Sequence, residues 1–177
     1  MADAVQMLTN LASVQPNLYK LVTGAAYVIG LAFIFRALYH LKIYGELRTM
    51  MASQTGLKEP LAYLFVGTML LYLPTGFSTV MQTAFGYDNV LAYTDWRTTS
   101  GSITGPGGVA ILRLVQLVGA IAFVKGWMIL ARSAGQGGGA QGNTTGKGLT
   151  HIFGGVAGMN IVGTANVISS TLGVSFF

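Results

Sequence analysis

Apolar residues gather into four long stretches, Leu21–Leu41, Leu61–Phe85, Val109–Ala131 and Leu149–Phe177, with the polar residues collected between them. Each stretch is about long enough to cross a hydrocarbon layer of roughly 30 Å as a helix. Backbone amides find no water in such a layer, so a spanning segment must satisfy them within itself. The pattern therefore predicts an all-α fold: a single membrane domain over 1–177, a multipass transmembrane helical bundle of about four hydrophobic helices. They form two helical hairpins, 21–85 and 109–177, joined by an outer loop over 86–108. Ahead of them, Val5, Leu8, Leu11 and Ala12 fall on one side of a short helix. That spacing predicts an amphipathic N-terminal segment over 1–20, lying in the membrane interface or against a neighbouring subunit. Asp3, the lack of a basic residue before Lys20 and the polar break Gln15-Pro16-Asn17 do not fit a secretory signal peptide, so the segment is expected to be retained.

Composition strengthens the membrane reading. Of 177 residues, 52% are hydrophobic and 8% charged, and the mean hydropathy is +0.58. A soluble domain carries about a quarter of its residues as charges. No cysteine is present, which excludes disulfide frameworks, thiolate catalysis and cysteine-based zinc or iron–sulfur sites.

The few charges orient the chain. Lys42, Arg48 and Lys58 lie between the first and second stretches and Arg132 and Lys147 between the third and fourth, whereas the opposite side holds Lys20 and Arg97. By the positive-inside rule, the connections 42–60 and 132–148 face the cytoplasm, with both termini and the loop 86–108 outside. In that loop Tyr87, Tyr93 and Trp96 stand among Asp88, Asp95 and Arg97, a mixture suited to the headgroup boundary. Tyr39, Tyr44 and Trp127 suit a second aromatic belt on the cytoplasmic side. The connection 133–148 holds seven glycines but fails as a phosphate loop. Only three residues separate Gly142 from Gly146, and Gly148 follows Lys147 where a hydroxyl is required. It reads as a flexible linker with basic ends.

Arg36, Arg113 and Lys125 interrupt apolar runs, where a central charge costs at least about 2.5–3.5 kcal/mol on insertion scales. One account is snorkelling: Arg36 precedes Lys42, and Lys125 precedes Arg132, by about 9–10 Å of helix. The other is that these cations meet lipid phosphates or line a polar lumen, because Asp3, Glu46, Glu59, Asp88 and Asp95 all fall at ends or in loops. A proton relay lacks the intramembrane acids and histidines it needs.

Small residues mark the fourth stretch. Gly154 and Gly158 form a GxxxG pair, and Ala165, Ser169 and Gly173 continue the spacing, so close helix approach is expected there. Asn160, Thr164 and Thr171 stand beside them as groups able to hydrogen-bond between helices. His151 reads as an interfacial histidine rather than a metal ligand, with His40 in another helix. Pro74, followed by Thr75 and Gly76, is expected to kink the second stretch or end its regular hydrogen bonding. Gly30-Leu31-Ala32-Phe33-Ile34-Phe35-Arg36 also echoes Gly119-Ala120-Ile121-Ala122-Phe123-Val124-Lys125, as in a parallel repeat of two hairpins.

Three segments, AFIFRALYHLKIYGE at Ala32–Glu46, VGTMLLYLPTG at Val66–Gly76 and HIFGGVAGMNIVGTANVISSTLG at His151–Gly173, together carry a resemblance. They are similar to the small multipass membrane proteins of type IVB secretion and IncI-type conjugation, the IcmC/DotE group and its TraQ-like counterpart. The resemblance implies a structural part in moving DNA or protein between bacteria and transfers no catalytic residue. It implies other membrane subunits of the apparatus, and copies of the chain itself, as partners, with cargo met only transiently. The place implied is the bacterial inner membrane, or an extracellular pilus after extraction. No cofactor is implied. In a polymer, a retained anionic phospholipid would cover apolar faces while its headgroup meets Lys42, Arg48, Lys58, Arg132 and Lys147, with Arg36 or Lys125 reaching from the helices. A channel or carrier, with Arg36, Arg113 and Lys125 as an anion path, is the competing function, and an enzyme of lipid or phosphate chemistry is third.

The charge asymmetry fixes a topology that reporter fusions can test. Tags near Gln54 and Gln141 should both report cytoplasmic, and tags at the two termini external; opposite sides for the two connections would rule out four crossings.

Overall fold

The computed structural model describes residues 4–49, 56–86, 106–135 and 141–173, and among these it is all-helical. Six helices follow in order: α1 (Ala4–Thr49), α2 (Lys58–Leu71), α3 (Leu73–Phe85), α4 (Pro106–Gly135), α5 (Gln141–Met159) and α6 (Ile161–Leu172). Two unbroken segments are long and apolar enough to cross a membrane, Ser13–Leu47 in α1 and Ala110–Ser133 in α4. The number rises to four if the bent pairs α2–α3 and α5–α6 each count as one span. The first and third apolar stretches are thus continuous helices, and the second and fourth are each broken in two.

Both breaks have local causes. Pro74 lacks an N–H and its ring crowds the carbonyl four residues back, so the helix yields just ahead of it. Tyr72 leaves helical geometry (φ −92°, ψ 23°) while its N–H still reaches the Thr68 carbonyl at 3.0 Å. The kink expected from Pro74 is present, two residues upstream of the proline. At the second break Asn160 turns out of the helix (φ −129°, ψ 63°), and its side-chain oxygen accepts from the Gly163 N–H at 3.0 Å. An asparagine at an N-cap occupies one of the donors that a new helix leaves unpaired. The Thr164 hydroxyl donates back across the break to the Ala157 carbonyl at 3.1 Å and the Asn160 carbonyl at 2.8 Å. The result is a bend of 95° between the two arms.

Two expectations change. The N-terminal segment is not a separate helix: α1 runs through Gln15-Pro16-Asn17 without interruption, with Pro16 inside it. Gln15 is buried there instead of marking a polar break, and the side chains of Val5, Leu8 and Ala12 lie outside the described residues. The glycine-rich connection is also shorter than a linker over 133–148, because α4 continues to Gly135 and α5 begins at Gln141. Glycine is a poor helix former, but tertiary packing overrides propensity, and Gly148 is buried against α4. The outer-loop residues 87–105, with their aromatic belt, lie outside the described residues.

The chain divides into two compact units. One comprises Met1–Val22, Pro74–Ala122 and Gly154–Phe177. Its core holds Phe77 and Met81 of α3, Ala110, Leu117 and Ala120 of α4, and Met159 of α5. Tyr19 of α1 packs on Phe77 with ring centroids 6.0 Å apart. Gln15 donates to the buried Gln116 at 3.4 Å, joining α1 to α4. Gly119 of α4 lies so close to α5 that a Cβ there would stand 2.5 Å from the Met159 nitrogen and 2.8 Å from the Gly155 carbonyl oxygen.

The other unit comprises Thr23–Leu73 and Phe123–Phe153. Here α1 and α2 cross on Gly30 and Gly67, where a Cβ on Gly67 would stand 2.9 Å from the Gly30 carbonyl oxygen and 2.8 Å from Ile34. On the same principle α4 and α5 cross on Gly126 and Gly148, with a Cβ on Gly126 meeting the Gly148 carbonyl oxygen at 2.8 Å. Around these contacts Ala26 and Ala37 of α1, Val66 and Leu70 of α2, and Phe123, Val124 and Ala131 of α4 are buried. Trp127 packs edge-on against Phe65 and Phe123 at 5.8 and 6.1 Å, so it joins α4 to α2 as well as suiting a membrane boundary.

Bulk at the crossings is therefore costly. Gly126→Leu and Gly119→Leu should each lower stability in detergent by about 1–3 kcal/mol or more, because backbone lies where the side chain would go. Gly24→Leu, with nothing within 4 Å, should stay within about 0.5 kcal/mol. Denaturant titration followed by helical ellipticity reads the difference.

Candidate functional site

Charge is shared unequally between the units. Arg36, Lys42, Arg48, Lys58, Lys125, Arg132 and Lys147 all belong to the unit comprising 23–73 and 123–153, with Glu46 and Glu59 as its two acids. The other unit has Lys20, Arg97 and Arg113 against Asp3, Asp88 and Asp95. The chain's net charge of +5 is thus carried by one unit alone.

Within that unit a polar cluster forms around Tyr63 of α2, which is only 3% exposed. Phe33, Arg36 and His40 recur on α1 at helical spacing and all meet this ring. Phe33 stacks on it at 5.7 Å and the His40 imidazole at 5.8 Å, and the Arg36 guanidinium sits 4.8 Å from its centroid. A cation over a phenol face in this geometry is worth about 0.5–2 kcal/mol. One turn before Tyr63, Glu59 stands 3.7 Å from the His40 Nε2. Two helices thereby bring a guanidinium and an imidazole to one aromatic ring, with a carboxylate beside the imidazole.

The remaining cations are dispersed. Lys42 pairs with Glu46 at 3.7 Å along α1, a surface contact of little energetic weight. Lys58, Lys125 and Lys147 are exposed, and Arg48 lies in α1 with its side chain outside the described residues. Arg113, half-buried, belongs to the other unit. His151 is held locally, Nδ1 lying 2.8 Å from the Lys147 carbonyl oxygen.

The small residues of the fourth stretch have separate tasks. Gly158 faces Gly119 of α4, which a Cβ on Gly158 would meet at 3.3 Å, whereas Gly154 has nothing within 4 Å and is exposed beside Phe153. Asn160 caps α6, Ala165 and Ser169 are half-buried, and Gly173 ends α6 in left-handed geometry (φ 66°) with its N–H on the Ser169 carbonyl.

Sequence reasoning placed Arg36 and Arg132 among the candidates and passed over His40, Glu59 and Tyr63. The signal was available: Phe33, Arg36 and His40 share a helix face, and Glu59 precedes Tyr63 by four residues. What it lacked was the pairing of α1 with α2 through Gly30 and Gly67. Compared with protein-family models, curated proteins and solved structures, the chain finds no match.

Tyr63 holds the cluster together. Tyr63→Ala should cost about 3–5 kcal/mol, as other large-to-small aromatic truncations do. Tyr63→Phe keeps the ring that Arg36, His40 and Phe33 contact and should cost no more than about 1.5 kcal/mol. Unfolding titrations of the two variants side by side measure both.

Proposed function

We propose that this chain is a structural membrane subunit of a bacterial conjugation or type IVB secretion apparatus, which associates with copies of itself and polymerises as a conjugative pilin. The segments Ala32–Glu46, Val66–Gly76 and His151–Gly173 support the system, through their resemblance to the IcmC/DotE and TraQ-like proteins. The observation that carries self-association is the division of labour in the GxxxG pair. Gly158 is spent inside the chain against Gly119, and Gly154 keeps its open side. In lipid, helices associate where small residues let backbones approach, and an open glycine flanked by exposed Phe153 offers such a place to a second chain. The subunit works by packing and carries out no catalytic step, and DNA or protein passes it only in transit. It resides in the inner membrane with the connections 42–60 and 132–148 cytoplasmic, from which the polymer is drawn to the cell surface.

The test separates fold from assembly. Gly154→Leu should leave helicity and membrane insertion intact while abolishing filaments in sheared surface material seen by negative-stain microscopy. Gly158→Leu should damage the folded chain itself. Filaments undiminished in the Gly154 variant would remove this face as the seam, and the absence of any filament containing the wild-type chain would leave a scaffold or channel that stays in the inner membrane.

A further inference from the structure

The echo between residues 30–36 and 119–125 continues into the helices that follow. Leu61, Leu64, Phe65 and Gly67 of α2 are answered, at the same internal spacing, by Leu149, Ile152, Phe153 and Gly155 of α5. The glycine contacts repeat as well. A Cβ on Gly30 would meet the Gly67 carbonyl oxygen at 3.0 Å and the Leu71 nitrogen at 3.2 Å, and a Cβ on Gly119 would meet the Gly155 carbonyl oxygen at 2.8 Å and the Met159 nitrogen at 2.5 Å. Leu71 ends α2 and Met159 ends α5, and a bend follows each, of 84° into α3 and 95° into α6. One hairpin pattern, a continuous helix followed by a bent pair, is thus written twice in the chain.

Inside the unit comprising 23–73 and 123–153, the second helix of the first hairpin meets the first helix of the second: Phe65 of α2 packs against Trp127 of α4 at 5.8 Å. Val124, one turn before Trp127, is only 6% exposed. The counterpart of Phe65 is Phe153 of α5, which is 71% exposed, with Leu149 one turn earlier exposed beside it. The counterparts of Val124 and Trp127 are Phe35 and Leu38 of α1, exposed at 67% and 53%. Both halves of the α2–α4 contact therefore recur in this unit with their apolar sides open. The two open faces differ from each other, so they suit a head-to-tail joint between copies and not a two-fold one.

We propose that α1 of one copy docks on α5 of the next, with Phe35 and Leu38 against Leu149 and Phe153, reproducing between copies the contact that Trp127 makes with Phe65 within one. The occupant is a second copy because the chain already contains both sides of the joint. Ring packing and the close approach allowed by Gly154, which follows Phe153 and has nothing within 4 Å, hold the two helices together. Each added copy leaves the same two faces at the ends, so the contact propagates. The inference rests on the self-association reading and adds to it the surface that meets the Gly154 side of α5.

The chain has no cysteine, so single introduced thiols report the joint. Membranes holding a mixture of Leu38→Cys chains and Phe153→Cys chains are treated with a short bismaleimide, because packed rings hold backbones further apart than a disulfide reaches. The mixture should give a covalent dimer, and a chain carrying both substitutions a ladder of dimers, trimers and longer products. Either substitution alone should give neither. Both positions are exposed, so the fold should be unchanged. Ala25→Cys, exposed on another side of α1, should not link to Phe153→Cys. Dimers from Phe153→Cys alone would overturn the proposal in favour of a two-fold joint, as would linkage confined within single chains carrying both thiols, or linkage to Ala25→Cys as strong as to Leu38→Cys. Absence of the mixed dimer would overturn it too. If filaments containing the chain persist, self-association runs through another face; if the chain is monomeric in mild detergent and forms no filament, self-association itself is removed.

Discussion

Everything else in this fold depends on how closely its helices can approach one another. In lipid the apolar surface of a helix gains little by meeting another apolar surface, since the surrounding chains are as oily as leucine. Association must then come from short-range contact, and contact requires backbones without intervening side chains. The pairs Gly30–Gly67 and Gly126–Gly148 in one unit, and Gly119 against Gly155 and Gly158 in the other, supply it. These contacts set which residues of adjoining helices share a level. Gly30 and Gly67 bring Arg36 and His40 of α1 level with Glu59 and Tyr63 of α2, so the polar cluster follows from glycine packing about one to three turns away.

The helix breaks complement that rule. A bend inside an apolar stretch frees backbone groups that lipid cannot satisfy, so each bend must bring its own partners. At Asn160 the side chain takes the Gly163 donor and Thr164 reaches two carbonyls on the near side. Pro74 works by subtraction, since the donor it lacks needs no partner. Asn160 thus serves the backbone of its own chain in addition to any role between helices.

The helical class and the location of the apolar stretches were legible from residue pattern, because the need to hide backbone amides acts on every spanning segment alike. The kink ahead of Pro74 was legible for the same reason: its cause is covalent and local. Continuity of α1 through Pro16 was not, since a buried Gln15 and its partner Gln116 lie 101 positions apart. The helical start of α5 escaped notice because seven glycines in sixteen residues argue locally for a linker, and only the contact of Gly148 with Gly126 reverses that. In the candidate site Arg36 stood out as a charge among apolar neighbours, whereas Tyr63 carried no signal of its own until α1 was laid against it.

The length of α1 has a mechanical consequence for the surrounding bilayer. Its apolar run Ser13–Leu47 has 35 residues, about 52 Å of helix against a hydrocarbon core of about 30 Å. Such an excess is absorbed by tilting the helix or by thickening the lipid around it, and a thickened annulus stores elastic energy along its perimeter. Two chains that share one annulus have less perimeter than two that stand apart. A force of that kind belongs to the lipid and is independent of any side-chain contact.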